Sequence, residues 1–141
     1  MSQKKTGGLA GVIAGRTDIC TVGKEGAGLT YRGYDIYDLA DNACFEEVAY
    51  LLHHEHLPNA AELVAYRERL KSLRALPGVL RQALEFIPAD THPMDVLRTG
   101  CSVLGNLEPE TDFSQQRDAA DRLLAAFPSM LLYQCAGQEN T

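Results

Sequence analysis

Gly23-Lys24-Glu25-Gly26-Ala27-Gly28 joins a lysine to flexible glycines, a combination that can cradle phosphate through backbone amides and an ammonium group. A phosphate-binding loop also needs a glycine where Asp18 stands and a hydroxyl where Glu25 stands, so the pattern fails twice. Gly8-Leu9-Ala10-Gly11 echoes a dinucleotide fingerprint, but it follows no strand and opens no βαβ unit. His53, His54 and His56 offer imidazoles to a metal. Two ligands on one helical face stand four residues apart, whereas these stand at i, i+1 and i+3, with no nearby cysteine to complete a set. At a helix end they instead complement the negative pole of the dipole, an interaction that strengthens on protonation. Asp90, His92 and Asp95 flank a helix start. They could form an acid–base cluster, but capping and dipole compensation account for them more simply. Cys20, Cys44, Cys101 and Cys135 form no CxxC motif and read as free thiols used as small apolar residues. No Ser-His-Asp or Cys-His pair is local in sequence. These residues therefore lead to the expectation of no catalytic residue, no cofactor-binding residue and no metal ligand.

The elements that would position these groups fall into two styles. Eight of the 12 glycines lie within residues 7–33. There, Asp18–Val22 and Leu29–Arg32 are β-prone, and the glycine-rich connector between them predicts a β-hairpin with a longer loop. From Asp35 onward the spacing is helical. Helices are expected over Ile36–Asp41, over Phe45–His54 with Glu47 completing a capping box at Cys44, and from an Asn59 cap to about Leu73 with Glu62 as the matching acid. Pro77 opens the next helix, with Val79, Leu80, Ala83, Leu84 and Ile87 inward, and Pro88 closes it. His92-Pro93-Met94-Asp95 starts another, striped by Met94, Leu97, Cys101 and Leu104. Gly100 in its interior implies close approach by another helix backbone, because a mid-helix glycine otherwise costs about 1 kcal/mol. A last helix is expected from Phe113 to Tyr133, kinked by Pro128.

Length and composition bound the rest. The 141 residues suit one domain, with 45% hydrophobic and 23% charged residues excluding a disordered or fibrous chain. A net charge of −6 argues against nucleic-acid binding and against a basic membrane-surface role. No apolar run reaches the roughly 18 residues of a membrane span, and no secretory signal is visible, so a cytoplasmic location is expected.

Four blocks carry a family resemblance. Thr21-Val22-Gly23-Lys24-Glu25, Leu29-Thr30-Tyr31-Arg32-Gly33-Tyr34-Asp35-Ile36 and Phe45-Glu46-Glu47-Val48-Ala49-Tyr50-Leu51-Leu52 resemble the start of citrate synthases. His92-Pro93-Met94-Asp95-Val96-Leu97-Arg98-Thr99-Gly100 is a further match, and the set is most similar to the bacterial 2-methylcitrate synthase branch. The resemblance runs from about Gly8 to Tyr133. It implies a mainly α fold: an N-terminal segment with a β-hairpin (residues 1–33), large-domain helices (34–133) and a polar tail (134–141) that departs from the family.

The family condenses propionyl-CoA or acetyl-CoA with oxaloacetate. An Asp removes the proton beside the thioester, a neutral His stabilises the enol, and a second His acts on the oxaloacetate carbonyl. The resemblance places these residues beyond the block matching Tyr133, so none is carried over. His92 belongs to a helix start, and a basic position found after Pro58 in many relatives is Ala60 here. Acyl-CoA enters as a co-substrate of the family, with no cofactor expected on this chain. Relatives continue past Tyr133 with an aromatic, His-bearing helix, and the polar ending Gln134–Thr141 leads to the expectation of a frameshift or premature stop. The chain is accordingly expected to be an inactive N-terminal part of a 2-methylcitrate synthase or, alternatively, a citrate synthase. A non-catalytic helical association module is the competing class. The resemblance also implies a homodimer formed through the Met94–Gly105 helix.

Overall fold

The computed structural model describes residues 13, 15–23 and 28–138, with side-chain environments through residue 136. The Gly8–Gly11 echo, Lys24 and the rest of the first glycine-rich loop through Ala27 lie outside the described residues. Backbone packing divides the chain into two compact units, Met1–Leu57 and Pro58–Thr141.

The first unit opens with a three-stranded antiparallel sheet in the order β1 (Cys20–Thr21), β2 (Thr30–Tyr31), β3 (Tyr34–Asp35). The expected hairpin is present, with Cys20 opposite Tyr31 and Thr21 opposite Thr30. Strand β3 is an addition to the sequence reading. Tyr31 pairs with Tyr34 across a two-residue turn in which Arg32 (φ 49°) and Gly33 (φ 89°) are both left-handed. That is the pattern of a type I′ turn, whose twist matches that of antiparallel strands. Helix α1 (Ile36–Asn42) follows at once, capped by Asp35, whose Oδ1 accepts from Tyr37 N–H at 2.8 Å. Helix α2 (Phe45–His54) has the acid half of its capping box in place, with Glu47 accepting from Cys44 N–H at 2.7 Å. It ends at Glu55 in the left-handed conformation. Among the described residues of this unit, the buried apolar side chains are Leu39, Ala49 and Leu51.

The second unit holds helices α3 (Ala60–Ser72), α4 (Gly78–Glu85), α5 (Pro93–Leu107) and α6 (Gln116–Gln138), with a 3-10 turn at Phe113–Gln115 leading into α6. Helix α3 begins as its sequence dictates: Asn59 Oδ1 accepts from Ala61 and Glu62 N–H at 2.9 and 3.0 Å, and Glu62 accepts from Asn59 N–H at 2.8 Å. The core joins Leu80 and Leu84 of α4, Val96 and Leu104 of α5, and Ala126 and Met130 of α6. Each large side chain removed from water in this way contributes about 1.5–3 kcal/mol.

Three details differ from the sequence reading. Val79 is 57% exposed, because it stands about 100° around α4 from Leu80 and so off the Leu80–Leu84 line that faces the core. On α5 the buried line is Val96, Gly100 and Leu104, spaced by four, while Met94 is 65% exposed. Both stripes have helical spacing, and packing on α4 and α6 selects the one containing glycine. The close neighbour of Gly100 is a side chain of this same chain: an added Cβ would stand 2.7 Å from Met130 Sδ. Helix α6 also extends to Gln138, beyond Tyr133, and places Gln134 on its buried side. Pro128 lies inside α6, where it donates no hydrogen bond to the preceding turn.

Candidate functional site

A set of bonded charged groups sits on the first turns of α6. Asp121 is 3% exposed. Its Oδ1 accepts from Tyr66 Oη–H at 2.8 Å, and its Oδ2 accepts from Arg69 Nε–H at 2.7 Å. Arg69 also reaches Asp118 Oδ1 at 2.6 Å through Nη2. Tyr66 and Arg69 lie three residues apart on α3, so one helical face presents both donors to one carboxylate. The hydrogen bond to Asp121, together with the charges of Asp121 and Asp118, raises the Arg69 pKa against the opposing effect of burial.

The next residue, Arg122, faces a different pair of partners. Its Nε and Nη2 donate to Glu108 Oε2 and Oε1 at 2.9 and 3.0 Å, a two-pronged clamp on the residue that ends α5. Its Nη1 donates to the carbonyl of Leu73, which ends α3. The clamp holds the Glu108 carboxyl below the usual carboxylate range, again against the opposing effect of burial. Between these groups lies a cleft of about 420 Å³. Leu73, Leu104, Leu123 and Cys101 line its apolar wall, with Glu108, Glu110, Asp118 and Arg122 among its polar groups.

The chemistry of this arrangement is that of a latch. A general base for a carbon acid needs an accessible lone pair and a pKa brought up toward the operating pH. Glu108 has the opposite setting, ionised and spanned by a guanidinium. Asp121 already accepts from two side chains.

The groups singled out in the sequence take up local roles. His53 and His54 lie in the last turn of α2 and His56 just beyond it. The His54 ring stacks on Tyr50 with centroids 4.0 Å apart, and His56 meets Tyr50 edge-on at 5.5 Å. His56 Nδ1–H donates to the His54 carbonyl at 2.8 Å. Among the described residues, no group of three His, Cys, Asp or Glu side chains is arranged to hold a metal. His92 caps α5, with Nδ1 accepting from Met94 N–H at 3.2 Å, while Asp95 pairs with Arg98 at 3.1 Å. None of the four cysteines is in a disulfide; Cys20, Cys44 and Cys101 are half-buried, and Cys135 is exposed. No helix among the described residues is long and apolar enough to cross a membrane.

Sequence reasoning missed Arg32, Arg69, Asp121 and Arg122. Arg32 donates through Nη2 to the Leu52 carbonyl at 3.2 Å and stands 3.8 Å from Glu55, which ties the β2–β3 turn to the end of α2. The signal for Asp121 was its place four residues before Ala125, in phase with the buried side of α6.

Residues 8–140 match the family described as citrate synthase, C-terminal domain. The chain belongs to the citrate synthase family. It is 61% identical over 133 residues to the 2-methylcitrate synthase of Shewanella oneidensis, covering 94% of this chain and 36% of that protein. It is 43% identical over 127 residues to 2-methylcitrate synthase 2 of Corynebacterium glutamicum, covering 88% and 33% respectively. The crystal structure of citrate synthase from Thermotoga maritima MSB8 aligns with a TM-score of 0.81 at 30% identity, over 100% of this chain and 36% of that one. The chain thus spans about a third of the length of the relatives it matches.

The resemblance read from the sequence is borne out, and the structure shows what the citrate synthase motifs do in this chain. Tyr31–Ile36 is a strand, a left-handed turn, a second strand and the cap of α1. His92–Asp95 is the cap and first turn of α5. Both blocks set the direction of the chain in this structure, one through a left-handed turn and one through a helix cap.

Proposed function

We propose that the chain is the scaffold-forming segment of a 2-methylcitrate synthase, serving the condensation of propionyl-CoA with oxaloacetate in cytoplasmic propionate catabolism. The single observation that carries this reading is the 61% identity to the Shewanella oneidensis enzyme across nearly the whole chain. In this reading the Arg122 clamp and the Asp121 network fix the helices on which the rest of such an enzyme builds its site. Acyl-CoA and oxaloacetate are substrates of the whole enzyme, and this segment alone does not turn them over. The alternative occupant of the same fold is a citrate synthase using acetyl-CoA. A homodimer through Met94–Gly105 is part of the proposal. It is supported by the exposed small residues Thr99, Ser102 and Gly105, a face of α5 that the α4–α6 core leaves open.

The test is a graft. This chain replaces the matching 133 residues of the Shewanella oneidensis enzyme, and release of CoA thiol is followed with a chromogenic disulfide. The initial burst from protein thiols such as exposed Cys135 is subtracted. The expected result is oxaloacetate-dependent thiol release that is faster with propionyl-CoA than with acetyl-CoA, and none from the chain alone. A folded graft inactive with both thioesters, or turnover by the chain alone, overturns the proposal. For the dimer, Ser102→Arg in the active graft is expected to give a monomer in sedimentation, and an unchanged dimer refutes that face.

A further inference from the structure

We draw no further inference here: the strongest candidate, the cleft of about 420 Å³ between the ends of α3 and α5 and the first turns of α6, carries nothing because three of its four charged wall groups, Glu108, Asp118 and Arg122, are already bonded to neighbours within the fold and nothing in the structure shows what covers its apolar wall of Leu73, Leu104 and Leu123.

Discussion

Gly100 and Gly105 stand on the same helix and respond in opposite directions to the same substitution. Replacing a helix-interior glycine by alanine stabilises a helix by about 1 kcal/mol where the space is free. At Gly105 nothing lies within 4 Å of the added methyl, so Gly105→Ala is expected to stabilise the chain by about 0.5–1 kcal/mol. At Gly100 the methyl would stand 2.7 Å from Met130 Sδ and 3.6 Å from both Leu84 Cδ2 and Met130 Cγ. Met130 is fully buried, so its sulfur has little room to retreat. Overpacking of this kind costs about 1–3 kcal/mol, which exceeds or cancels the propensity gain. Gly100→Ala is therefore neutral to destabilising by about 2 kcal/mol, and the two variants differ by about 1–3 kcal/mol. Urea unfolding followed by helical circular dichroism measures both. Met130→Ala supplies the coupling: in the double variant the sulfur that obstructs the methyl is gone, so the Gly100→Ala penalty is expected to shrink by at least about 0.5 kcal/mol. Equal stabilisation by the two glycine replacements, or strict additivity with Met130→Ala, would refute the close α5–α6 approach.

Asp121→Ala leaves Tyr66 and Arg69 without their shared acceptor and is expected to cost about 2–3 kcal/mol, against about 1 kcal/mol for Tyr66→Phe, both read from urea midpoints. Comparable losses from the two changes would contradict the central place given to Asp121. Glu108→Gln tests the clamp through pH. The Glu108 carboxyl is held low in the folded state, so its contribution is fully present above the unfolded value near 4.3 and is lost as pH falls through the folded value. The stability gap between the parent and Glu108→Gln, below about 1 kcal/mol for a pair whose carboxylate is exposed, is expected to close between pH 5 and pH 3. A gap independent of pH would show that the clamp contributes through shape alone.

Helix boundaries were legible because they are set by local chemistry. Asn59 with Glu62, Asp35, and His92-Pro93 each satisfy or omit the backbone donors of a first turn, and each sits where the structure begins a helix. The third strand was not read from the sequence, because a two-residue strand offers no alternation and only the Arg32-Gly33 pair between two tyrosines marks its turn. The rotation of α5 about its axis was not readable from α5 alone. Met94–Leu97–Cys101–Leu104 and Val96–Gly100–Leu104 both repeat at helical spacing, and the choice between them is made by Leu84 and Met130 on other helices. The Asp121 and Arg122 networks depend on partners 14 to 55 residues away, a relation that no local pattern records.

Helix α3 shows why those polar networks matter. Of its 13 residues only Tyr66 and Leu70 are buried, and the apolar seam they make is too narrow to define one register against α6. Asp121 removes the ambiguity. A buried carboxylate without partners is severely penalised, so a displacement of α3 by one turn that carries Tyr66 and Arg69 away from it is disfavoured however well the apolar atoms repack. Arg122 adds a second fixed point by holding the Leu73 carbonyl at the far end of the same helix. The contribution of the network is thus position more than net stability, because desolvating the charges offsets much of what their pairing returns. The combined replacement Tyr66→Phe, Arg69→Met and Asp121→Leu separates the two. With every partner made apolar together, the urea midpoint is expected to stay near that of the parent, while Asp121→Ala alone falls well below it. A combined variant as unstable as the single one would mean that the network supplies net stability after all, and that α3 is held by charge and not merely aimed by it.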